Sequence, residues 1–162
     1  IKGECMKNLI VYYSYTGNTK KVAEEIAKKI NGTLCPLTLK EDYTKDYDAL
    51  VNEMESSNNE NNQPELKDLN VSLDEFDRVF VLTPVWWYTL SCPVNTFLHQ
   101  NNLEGKEVIL VSTNAGWLGE TFENMKKLVK GKVLGTINCE FNNDVWQNKD
   151  EVDSKLQTLH LI

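Results

Sequence analysis

Apolar and polar positions alternate along this chain in blocks of two kinds. Leu9-Ile10-Val11-Tyr12-Tyr13 is an unbroken apolar run of strand length. After a polar turn, Ser14 to Asn18, the residues Val22, Ala23, Ile26, Ala27 and Ile30 recur at helical spacing and stop at Asn31-Gly32. Thr33 to Leu39 forms a second strand, with Pro36 placing it at or near an edge. Tyr47, Leu50, Val51 and Met54 mark a second helix, which dissolves into the Asn-rich stretch from Ser56 to Pro64. Val79 to Leu82 and Val108 to Val111 are further buried-type strands. A helix from Pro93 carries Val94, Phe97 and Leu98 inward; another carries Phe122, Met125, Leu128 and Val129. Lys132 to Phe141 makes a fifth strand, and Val152, Leu156 and Leu159 line a last helix.

Five strands thus alternate with helices, and unbroken apolar strands are buried on both faces. That pattern predicts a three-layer α/β/α sandwich around a five-stranded parallel sheet. With 162 residues, one domain over residues 7–162 is expected, with residues 1–6 a processed or added N-terminal extension and Met6 the natural start.

Composition narrows the function. Hydrophobic residues make up 41% and charged residues 25%, ordinary for a globular chain, and no apolar run nears membrane-spanning length. The net charge is −7, which disfavours nucleic acid as a partner because that binding rests on cations meeting phosphates. The excess is local: Lys40 to Arg78 holds 12 acids and 4 bases, leaving the remainder at +1. An acidic face can steer basic partners or simply keep the protein soluble, and both readings stay open. The four cysteines (Cys5, Cys35, Cys92, Cys139) are far apart, without zinc or iron–sulfur spacing, and read as buried small hydrophobes in a reducing, cytoplasmic setting. His99 and His160 fall on expected helices away from any nucleophile, so no hydrolytic apparatus is expected.

Ligands of an open parallel sheet bind beyond the carboxyl ends of its strands, and three loops leave such ends. Ser14-Tyr15-Thr16-Gly17-Asn18-Thr19 offers hydroxyls, an amide and backbone N–H groups at a helix N-terminus, a neutral cradle for phosphate. An ordinary helix cap is the alternative. Pro84-Val85-Trp86-Trp87-Tyr88 sets three aromatics in a row, which cannot all face one core. They suit a flat heterocycle, or a hydrophobic cap or partner interface. Thr113-Asn114-Ala115-Gly116 is small and polar and supplies N–H groups for a ring edge.

These residues carry a resemblance to the flavodoxins. Ser14 to Thr19 matches the family's phosphate loop, [ST]-x-T-G-x-T, directly after the first strand. Tyr43 to Leu50, Pro64-Glu65-Leu66 and Pro84-Val85-Trp86-Trp87 resemble patterns of one flavodoxin subfamily, and the likeness runs from about Lys7 to Phe141. The fifth strand lacks the long insertion of larger members, so the chain resembles the short type. The resemblance implies strand order 2-1-3-4-5 and bound FMN. Ser14, Tyr15, Thr16, Gly17, Asn18 and Thr19 would hold the phosphate. Pro84, Val85, Trp86, Trp87 and Tyr88 would flank the ring, and Thr113, Asn114, Ala115 and Gly116 would close its other edge.

It also implies an electron-transfer protein, a monomer, meeting redox partners with basic faces. Two departures stand out: Tyr88 and Thr83 occupy positions where similar sequences carry Gly. A bulky residue at 88 should resist the positive backbone dihedral that Gly permits beside the flavin's reactive nitrogen. An FMN-dependent reductase moving hydride from a nicotinamide to a quinone or azo compound therefore stands as the alternative.

Overall fold

A computed structural model describes residues 6–162; Cys5 and most of the expected N-terminal extension lie outside them. The parallel strands are β1 (Asn8–Tyr12), β2 (Thr33–Pro36), β3 (Arg78–Trp86), β5 (Glu107–Asn114) and β6 (Lys132–Asn142). They line up as β2-β1-β3-β5-β6, which is order 2-1-3-4-5 counted over the parallel strands. The helices are α1 (Asn18–Ile30), α2 (Tyr47–Ser57), α3 (Cys92–Gln100), α4 (Thr121–Leu128) and α5 (Asp150–Thr158).

Side chains alternate along each strand, so each strand feeds two cores. Leu9, Val11, Val79, Val81, Val108 and Leu110 face α3 and α4, meeting Val94, Phe97, Leu98 and Met125. Ile10, Tyr12, Phe80, Leu82, Ile109 and Val111 face the opposite side, where α1 offers Val22, Ala23 and Ile26 and α5 offers Val152 and Leu156. This two-sided burial is why the strands read as unbroken apolar runs.

Three features differ from the sequence expectation. Two short antiparallel strands, β4 (Thr89–Leu90) and β7 (Val145–Trp146), pair with the ends of β3 and β6 as tight hairpins. Each is too short to show a period. The second strand ends at Pro36, although Leu37 continues along the edge through its N–H to the Tyr12 carbonyl at 2.7 Å. His160 lies beyond α5, with φ of 59°, and not on a helix. Among the described residues, no helix is long and apolar enough to cross a membrane.

Candidate functional site

The carboxyl ends of β1, β3 and β5 open into one cavity of about 630 Å³, within the size range of small-molecule sites. The three loops singled out in the sequence meet there, and α2 closes it from the side.

One end of the cavity is polar. Gly17 caps α1 with φ of 104°, a left-handed geometry that suits Gly, and no side chain caps the helix from that position. The Ser14 hydroxyl accepts from the N–H groups of Gly17 and Lys20, both at 3.1 Å, and so frames the loop from behind, away from the cavity. Asn18 and Thr19 keep first-turn N–H groups that have no intrahelical acceptor. Tyr15, Thr16, Asn18 and Thr19 line the cavity here. The first turn of α1 contains no acid, so its positive dipole end and free donors face the cavity together. Thr19 and Thr113, both buried, share a hydroxyl–hydroxyl bond of 2.7 Å that joins the first loop to the third.

The third loop holds itself together. The Asn114 amide donates to Asn138 Oδ1 at 2.6 Å and accepts from the Gly116 N–H at 2.8 Å. Its side chain is therefore spent on loop shape. Thr113, Asn114 and Ala115 line the cavity, and Gly116, with φ of 106°, turns the chain just outside.

The other end is aromatic. Pro84, Val85, Trp86, Trp87 and Tyr88 all line it. Trp86 is half-buried and meets Tyr13, Tyr15 and Tyr43 edge-on at centroid distances of 5.6, 6.4 and 5.4 Å. Trp87 and Tyr88 point outward, 39% and 55% exposed. Both have positive φ, 48° and 66°, so Tyr88 adopts the geometry that a bulky residue was expected to resist. The cause is the hairpin: pairing of Val85 with Leu90 and Trp86 with Thr89 leaves a two-residue turn, and the turn that matches strand twist needs positive φ at both positions.

That turn is tied on several sides. The Trp87 indole N–H donates to the Val51 carbonyl at 2.7 Å, and the Glu120 N–H to the Tyr88 carbonyl at 2.8 Å. The Asn58 amide donates to the Trp86 carbonyl, while the Cys92 thiol donates to Asn58 Oδ1. Burial pushes the Cys92 thiol up to about 12, so it stays protonated and can donate.

Sequence reasoning missed Asn58 because it sits in the Asn-rich stretch read as a plain loop. Asn95 donates to the carbonyls of Glu60 and Asn62, and Thr96 to that of Pro64, so α3 pins this stretch in place. Tyr47, Leu50, Val51 and Met54, the apolar positions that mark α2 in the sequence, line the cavity, with Leu50 and Met54 also buried against Cys92, while the same helix turns Asp48, Glu53 and Glu55 to solvent. Trp117, Phe141, Asn143 and Asp144 complete the lining. Asn143-Asp144 between two β-type runs was a readable turn signal for the last of these.

Known proteins match the chain in sequence and fold. A family model described as flavodoxin matches residues 7–152. A flavoprotein of Lactobacillus acidophilus, solved in complex with FMN, is 25% identical with TM-score 0.73, covering 93% of this chain and 98% of that one. Its apo form, solved by NMR, is 26% identical with TM-score 0.63 over 83% and 92%. A candidate flavoprotein of Bacteroides eggerthii is 25% identical with TM-score 0.77 over 95% and 98%. No curated protein matches the chain.

Proposed function

The chain belongs to the flavodoxin family, and from that premise we propose that it binds FMN non-covalently and carries electrons on it between partner proteins in the cytoplasm, acting as a monomer. The observation that carries this reading is the joining, in one cavity, of an α1 N-terminus whose first turn holds no acid of its own and keeps free N–H groups at Asn18 and Thr19 with a wall of three consecutive aromatics. The Lactobacillus acidophilus relative, crystallised with FMN, supports the ligand.

The residues present fit that group. Asn18 and Thr19 N–H groups, with the Thr16 and Thr19 hydroxyls, give a phosphate neutral donors at a helix dipole's positive end. Trp86, Trp87 and Tyr88 supply aromatic surface that covers a flat ring and excludes water from it. Thr113, Asn114 and Ala115 also line the cavity, and their backbone groups would serve its polar edge. Bound FMN supplies reversible electron uptake; the chain supplies placement, shielding and a route to partners. Among the described residues, no cationic side chain lines the cavity, so added negative charge on a ligand ring would gain nothing from a counter-charge among them. Exposed Asp42, Asp46, Asp48, Glu53 and Glu55, beside or on α2, would guide partners with basic faces in a salt-dependent way.

A second reading keeps the FMN and changes the use. Tyr88 and Trp117, 55% and 68% exposed at the cavity mouth, offer stacking surface for a quinone or azo acceptor or for a nicotinamide. Stepwise anaerobic reduction of FMN-loaded protein, followed by visible absorbance, separates the two. Accumulation of one-electron-reduced flavin, with little NADH- or NADPH-driven quinone turnover, supports the carrier. Direct two-electron reduction with rapid turnover overturns it for the reductase.

A further inference from the structure

We infer that Asp144 is a built-in competitor for the phosphate of the ligand, so that the chain holds a phosphorylated flavin less tightly than its α1 cradle alone would. This rests on the flavin reading above. The two-residue turn between β6 and β7 consists of Asn143 and Asp144, both left-handed, with φ of 50° and 63°. It brings the hairpin tip onto the start of α1, where Asp144 Oδ1 accepts from the Asn18 amide at 3.1 Å. The Asp144 carbonyl accepts from the Lys21 ammonium at 3.3 Å. Two α1 side chains at the anion end are thus engaged by one residue 126 and 123 positions away.

Among the described residues, Asp144 is also the one carboxylate that lines the cavity, and no Lys, Arg or His lines it; the charge of a carboxylate has the sign of a phosphate. A helix start normally draws an acid from its own first turn or cap. Here the first turn of α1 has none and its cap is Gly17. Asp144 supplies the missing anion from the far edge of the sheet. A phosphate entering the same end meets a carboxylate of like charge and a donor, Asn18, already in use. Removing the charge while keeping a residue that tolerates left-handed geometry should release both effects.

The test uses the full chain, freed of ligand, with FMN, riboflavin and inorganic phosphate as probes. FMN and riboflavin differ only in the phosphate ester. Asp144→Asn should tighten FMN by roughly tenfold, leave riboflavin within about twofold, and strengthen inhibition of FMN binding by inorganic phosphate. The FMN gain should shrink at high ionic strength, as a charge effect must. Unchanged or weaker FMN binding by the variant overturns the proposal, since Asp144 would then serve only to hold Asn18 in place. If the unaltered chain binds neither flavin, the flavin reading fails by itself. The response of inorganic phosphate to Asp144→Asn then decides the competitor role alone, a tighter fit supporting it and no change refuting it.

Discussion

Gly119 lies against Tyr88 so closely that a methyl group on it would fall 2.5 Å from both the Cβ and the carbonyl oxygen of Tyr88. Gly119 also has φ of 59°, and the next residue, Glu120, bonds the same carbonyl. The approach to α4 therefore sets the shape of the aromatic turn, and it can do so only through a residue without a side chain.

Gly119→Ala should consequently destabilise the protein by about 2–4 kcal/mol, combining backbone overlap with left-handed strain. Urea unfolding of the ligand-free chain measures it. A loss below about 0.5 kcal/mol would mean that the approach to α4 yields freely and does not fix the turn.

Tyr88→Gly should act in the opposite direction. Tyr88 occupies the second position of a turn that favours Gly there, at φ of 66°, and is 55% exposed. Relief of left-handed strain is worth about 1 kcal/mol, more than the little burial lost. The thermal midpoint should rise by about 2–4 °C. A fall would show that contacts of the tyrosine ring outweigh its backbone strain.

Asn58→Leu should strand the Trp86 carbonyl and the Cys92 thiol, costing about 1–3 kcal/mol. Because Trp86 is coupled edge-on to three tyrosines, its near-ultraviolet circular dichroism should change as well. Cys92→Ser keeps a donor to Asn58 and should leave that spectrum close to the original. An unaltered spectrum in Asn58→Leu would remove Asn58 as the anchor of this loop.

Burial pushes the thiols of Cys92 and Cys139 up to about 12 from an ordinary value of 9.0. The folded chain then keeps these protons where the unfolded chain releases them. Their contribution to stability is whole below about pH 9 and lost as pH climbs towards 12. The slope approaches about 1.4 kcal/mol per pH unit for each thiol. Urea midpoints at pH 8, 9.5 and 11 measure the decline, and replacing both cysteines with Ala should flatten it. At pH 8 the native protein should also resist thiol reagents at Cys35, Cys92 and Cys139, all buried.

What could be read from the chain beforehand followed the physics of periodicity. Leu9 to Tyr13, Val79 to Leu82 and Val108 to Val111 declared themselves as strands because both their faces are buried. The Ser14 to Thr19 loop was legible as the turn from β1 into α1, because a glycine and hydroxyl residues cluster there between a strand-length apolar run and a helical period. What stayed hidden was set by partners distant in sequence. Asn58 gains its role only when α3 fixes the segment around it, and Asp144 only when a hairpin reaches α1. Tyr88 misled for a related reason: a side chain's dislike of positive φ is small beside what a closed hairpin and the neighbouring Gly119 impose.

The hydroxyl bond between Thr19 and Thr113 has a geometric consequence. It ties the first turn of α1 to the carboxyl end of β5, so the spacing of these two walls of the cavity is set by the protein. On the flavin reading proposed above, the cavity would act as a gauge of length: a ligand whose phosphate and ring are too closely joined would reach one of these walls but not both. Selectivity would then reside in the separation of the two groups as much as in either group alone.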